Sequence, residues 1–198
     1  MGLGLLLAFA GFAFVSSITP GPNNAMLLAS GVNYGFRRTV PHIAGISLGC
    51  VAMVLLVGLG LEQAFAAVPQ LYDVLRYTGA AYLLWLAWKI ARAGPVVEGA
   101  SGGRPMTFCQ AAAFQWINPK AWVIVVGAVG TYAPRDGFGH NVIALAVLLG
   151  VIMVPSISVW AGFGTVLRPL LCQRGYVRIL NITMALLLVL SLVPILKH

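Results

Sequence analysis

Apolar residues along this chain fall into long runs and show no strand-like alternation with polar ones. Six windows, at 3–32, 40–61, 68–90, 108–132, 142–163 and 179–196, each hold enough apolar length to cross a bilayer. About 20 such residues cover about 30 Å of hydrocarbon as a helix. The pattern therefore predicts an all-α membrane protein of six transmembrane helices. Two windows carry polar breaks well inside them: Thr19-Pro20-Gly21-Pro22-Asn23-Asn24 in the first and Asn118-Pro119-Lys120 in the fourth.

The stretch 94–103 is rich in Gly, Pro and Ser and separates three windows from three. With its continuation to residue 106 it is expected to be a cytoplasmic linker between a first repeat, 1–93, and a second, 107–198. Three is odd, so the second half must lie upside down relative to the first, the inverted-topology plan of many secondary transporters. Ile18-Thr19-Pro20 and Ile117-Asn118-Pro119 are alike and stand in the first helix of each half. Helices 1 and 4 are thus expected to be broken at corresponding places.

Composition agrees with the pattern. Hydrophobic residues make up 60% of 198 and charged residues 8%, against about 25% charged in soluble chains. The windows leave no segment long enough to bury a soluble core. The net charge of +8 is spread singly or in pairs between apolar runs, which argues against a nucleic-acid face and for a role in orientation. Arg37 and Arg38 follow the first window, Lys89, Arg92 and Arg104 flank the third connection, and Arg168, Arg174 and Arg178 flank the fifth. The other connections carry Glu62 and Asp73, or Arg135 and Asp136. Positive residues collect on the cytoplasmic side, so both termini are expected outside. The N-terminal run has no basic n-region and runs straight into a polar motif, so it is expected to stay uncleaved.

Proline removes a backbone donor and glycine loosens the chain, so the first break should leave carbonyls without intrahelical partners. Such backbone survives at membrane depth only where protein buries it or where it lines a wet cavity. A half-helix resuming near Asn24 would aim amide donors at a carboxylate, and upstream carbonyls would accept from an ammonium. Asn23, Asn24 and Asn118 add neutral partners. Lys120 would pair with a substrate carboxylate, stabilise the cavity between transport events, or snorkel to a nearby interface. One proline kink is readily structural; two at matched positions, each beside polar residues, favour a binding site formed by Thr19, Pro20, Gly21, Pro22, Asn23, Asn24, Asn118, Pro119 and Lys120. The spacing of Asp73 and Arg76 fits an ion pair on one helix face as its default reading, yet carboxylates are scarce, which makes Asp73 the candidate for proton coupling. Gly45 and Gly49, and Gly31 and Gly35, give small-residue faces through which helices approach closely or two protomers form a homodimer. Cys50, Cys109 and Cys172 are odd in number and widely spaced, so neither a disulfide framework nor a zinc site is expected, and His42 and His140 show no metal-ligand spacing with them.

At Thr19 to Asn23, at Gly35 with Arg37 and Arg38, at Gly45 with Gly49, at Gly79-Ala80-Ala81-Tyr82-Leu83-Leu84 and at Asn118-Pro119-Lys120-Ala121, the chain resembles the lysine exporter superfamily. The likeness is to its homoserine, threonine and neutral amino-acid efflux branch and covers almost the whole chain. The resemblance implies a multi-pass exporter of amino acids or close derivatives in the bacterial cytoplasmic membrane, driven by the membrane potential or proton gradient, with no cofactor and no enzymatic activity. Substrate and protons would be its partners, with the lipid bilayer as its solvent. Two alternatives share the architecture: a membrane thiol oxidoreductase, which the lack of a cysteine in the first window disfavours, and a metal-ion exporter, which the scattered His and Cys disfavour.

Overall fold

The computed structural model describes residues 1–61 and 104–169, with separate helical residues between 77 and 92 and between 178 and 189. Windows three and six as wholes, the stretch 94–103 and Asp73 lie outside the described residues. Within them the regular structure is helical: α1 Leu3–Ile18, α2 Pro22–Tyr34, α3 Phe36–Leu56 running on through a π-helical turn Val57–Leu61, α4 Phe108–Gln115, α5 Pro119–Tyr132 and α6 Phe138–Leu167. Phe36–Gly60 and Phe138–Leu167 are each long and apolar enough to cross a membrane, and α1 with α2 makes a third such span bent by 54°. The fourth window is divided into helices of 8 and 14 residues.

Both breaks differ in detail from the sequence expectation. The first closes at Pro22, ahead of Asn24, because a proline fits the first helical position, where its missing N–H has no role. The second opens earlier, at residues 116–118, since Asn118 serves as N-cap by accepting from the Lys120 amide at 3.1 Å and Pro119 again starts the helix. Upstream, Thr107 and Gln110 form a reciprocal capping box at the head of α4.

Small residues set the interhelical distances. A Cβ on Gly31 of α2 would collide with the Ala161 carbonyl of α6, and one on Gly164 of α6 with the Leu28 carbonyl of α2. Gly45 and Gly49 of α3 sit against Phe108, Ala111 and Ala112 of α4 in the same way. These faces are therefore used inside the chain. Gly35 acts through its backbone instead, since its φ of +78° turns α2 into α3 without a linker. The core that results holds Phe9, Leu27, Ile46, Met53, Leu145 and Leu149, all fully buried. Outward, α6 shows Ile143, Val147, Val151 and Val159, each more than half exposed, a stripe suited to lipid.

Candidate functional site

The two breaks meet. Lys120, in the first turn of α5, reaches across the chain, and its Nζ donates to the Thr19 carbonyl at 2.7 Å, the Thr19 hydroxyl at 2.9 Å and the Pro20 carbonyl at 3.3 Å. A Cβ on Gly21 would lie 2.7 Å from Lys120 Cδ, so the bare glycine makes room for the lysine stem.

Every carbonyl of the first break has a donor. Ser16 O accepts from the Thr19 hydroxyl at 3.2 Å, Ser17 O from Asn24 Nδ2 at 2.8 Å, and Ile18 O from Trp160 Nε1 at 3.0 Å. Thr19 O also accepts from Asn24 Nδ2 at 2.7 Å, and Gly21 O from the Ala25 amide at 3.0 Å. Packed or short side chains hold most of these positions. Lys120 is different: its partners are reached by a long, charged and only half-buried side chain, so its three hydrogen bonds are the exchangeable ones.

A second contact joins the breaks through amides. Asn23 Nδ2 donates to Gln115 Oε1 at 2.8 Å and Gln115 Nε2 returns a bond to Asn23 Oδ1 at 3.1 Å. Gln115 also donates to the Ala111 carbonyl at 2.9 Å and accepts from Asn118 Nδ2 at 3.4 Å, with Cys50 Sγ at 3.7 Å. It is fully buried, and both its hydrogens and its oxygen are in use. Leaving such a group unpaired would cost about 1–3 kcal/mol.

Around these contacts lies a small, partly open cavity, walled by Gly21, Asn23, Asn24, Asn118 and Lys120 from the two breaks. Ser16, Ser17 and Cys50 add to its polar wall, while Ile124, Met153 and Ile157 form the apolar side. Ser17 Oγ is buried with no hydrogen-bond partner among the described residues. Of the residues singled out at the breaks, Thr19, Pro20, Gly21, Asn23, Asn24, Asn118 and Lys120 are brought together directly by these contacts and this wall. The two helix-starting prolines are not: Pro119 begins the helix that carries Lys120, and Pro22 is buried at the head of α2. Neither Gln115 nor Ser17 stood out in the sequence. Gln115 ends α4 and Asn118 caps α5, so the two amides flank the second break. Cys50 is buried on α3 and Cys109 is exposed on α4. Among the described residues no group of three His, Cys, Asp or Glu converges.

Residues 14–193 match the family model described as LysE type translocator. Cysteine/O-acetylserine efflux proteins of Escherichia coli (strain K12), Shigella flexneri and Shigella sonnei (strain Ss046) are each 37% identical over 187 residues, covering 93% of this chain and 94% of the relative. No solved structure matches the chain.

Proposed function

This chain belongs to the LysE type translocator family, and from that premise we propose that it exports small neutral amino acids and their derivatives, of the cysteine and O-acetylserine class, across the bacterial cytoplasmic membrane. The observation that carries the proposal is the Lys120 ammonium seated on the Thr19 and Pro20 carbonyls. Those oxygens are the acceptors a substrate ammonium would need, and Lys120 is the cation its carboxylate would need. A zwitterion enters by exchange: its carboxylate draws Lys120 away, and its own ammonium takes over the vacated carbonyls. Charge in the cavity is then constant, and no backbone group is left without a partner at membrane depth.

This exchange favours a neutral zwitterion over a dibasic solute, because a second ammonium would find no carboxylate among the cavity walls. Ser17 Oγ, unpartnered at the wall among the described residues, supports a substrate whose side chain carries a thiol, hydroxyl or ester oxygen. The shared names of the relatives support the same class, which narrows the homoserine and threonine branch to which the motifs pointed.

Transport proceeds by alternating access, with two inverted three-helix halves rocking around the paired breaks. A proton moving inward down about 150 mV supplies about 3.5 kcal/mol, at about 2.3 kcal/mol per 100 mV, enough for roughly a 300-fold gradient of a neutral solute. Asp73 is the proposed coupling carboxylate. The test is efflux of O-acetyl-L-serine from loaded proteoliposomes. Efflux accelerated by an imposed proton gradient and lost in Asp73→Asn supports this coupling. Efflux indifferent to both potential and pH gradient rules it out.

A further inference from the structure

A second, larger and more open cavity lies between the C-terminal half of α2, the start of α3 and residues 104–106, ahead of α4. Both cavities use α2. Asn23 and Asn33 mark them, ten residues and about 15 Å apart at 1.5 Å per residue. The Tyr34–Gly35 corner here is the basic end of the molecule: Arg104 lines the cavity and the Arg168 guanidinium lies near Gly35.

Its polar wall offers three acceptors on α2 and α3. Thr39 donates its hydroxyl hydrogen to the Gly35 carbonyl at 2.9 Å, so in the 2.8 Å contact between Ser30 and Thr39 the Ser30 hydroxyl must be the donor. With its hydrogen spent, Ser30 Oγ offers lone pairs alone. Asn33 spends one Nδ2 hydrogen on the Ala29 carbonyl at 2.7 Å, which leaves its Oδ1 acceptor and one amide hydrogen on offer. His42, 1% exposed, lines the same space, and neither of its ring nitrogens has a partner among the described residues. A neutral imidazole contributes one acceptor and one donor. Three acceptors match the three hydrogens of a primary ammonium, and the Arg104 guanidinium at the rim suits a carboxylate.

We propose that this cavity is a loading site, in which a small zwitterionic amino acid rests with its ammonium on Ser30, Asn33 and His42 and its carboxylate toward Arg104 before passing along α2 to the paired breaks. The site rests on the exporter reading above. It explains a buried imidazole with two unmet nitrogens, which no contact within the described chain accounts for.

The test uses full-length protein in inside-out vesicles, with O-acetyl-L-serine presented at the basic face under an imposed proton gradient. His42→Leu and Arg104→Gln are each expected to raise KM by about tenfold or more, the effect of losing one charge-assisted hydrogen bond, with kcat little changed. His42→Gln, which keeps an acceptor, should recover much of the affinity. Arg104 is exposed, so its variant reports even where His42→Leu fails to accumulate. No transport of O-acetyl-L-serine by the wild-type chain would overturn the exporter reading itself. Wild-type transport with unchanged KM in Arg104→Gln, and in His42→Leu where it accumulates, would overturn the loading site alone.

Discussion

Gln115 holds the two breaks in register because each of its polar atoms is engaged by a group from a different turn or helix. Gln115→Leu should lower stability by about 1–3 kcal/mol and abolish export, read as an earlier melting transition in detergent together with lost efflux. Asn118→Ala removes an N-cap, worth about 1 kcal/mol, and the anchor of Lys120's own turn, so transport should fall further than stability does. Ser17→Ala removes no contact among the described residues. It should leave the melting transition in place while reducing discrimination between O-acetyl-L-serine and leucine in competition assays. Equal discrimination by that variant would remove Ser17 from the substrate's surroundings.

At the scale of elements, close approach depends on glycines whose neighbours are backbone atoms and cannot yield. Gly31→Leu and Gly164→Leu should each prevent α2 and α6 from docking, with a penalty of at least the roughly 1–3 kcal/mol typical of overpacking and loss of folded protein from membranes. Gly162→Leu, on the same helix but with nothing within 4 Å of its Cβ position, should accumulate normally; fluorescence size-exclusion of the three variants separates them. Among the described residues, helices were legible from apolar run length because lipid demands internally bonded backbone. Their true ends were less so. Pro22 and Pro119 read as breakers, yet each occupies the first position of the helix that follows, and only capping geometry distinguishes a proline that ends a helix from one that begins it. Gly31, Gly45 and Gly49 were legible as packing faces, but whether the partner was a helix of the same chain was decided by the fold.

For the whole molecule, the convergence of the breaks was legible from their matched positions, whereas its chemistry was not. Sequence indicated backbone acceptors waiting for a ligand; the fold fills them with Lys120, a contact across 101 residues that no local pattern encodes. Gln115, Ser17 and the acceptor wall beside His42 were hidden for the same reason, since each becomes notable only through neighbours distant in sequence. Charge asymmetry makes its own prediction at this scale. In a cysteine-free background, Asp136→Cys should react with a membrane-impermeant maleimide on intact cells and Arg38→Cys only after permeabilisation; the reverse pattern would invert the topology.

The central claim is that Lys120 exchanges its carbonyl partners with a substrate ammonium. Its most direct test is counterflow of labelled O-acetyl-L-serine in proteoliposomes, comparing wild type with Lys120→Met and following the folded state of both by size-exclusion. The exchange predicts a loss of counterflow of about 10- to 100-fold in the variant, the order expected when a charge-assisted pair to the substrate is removed, with the folded protein intact. Counterflow at the wild-type rate in folded Lys120→Met would contradict it.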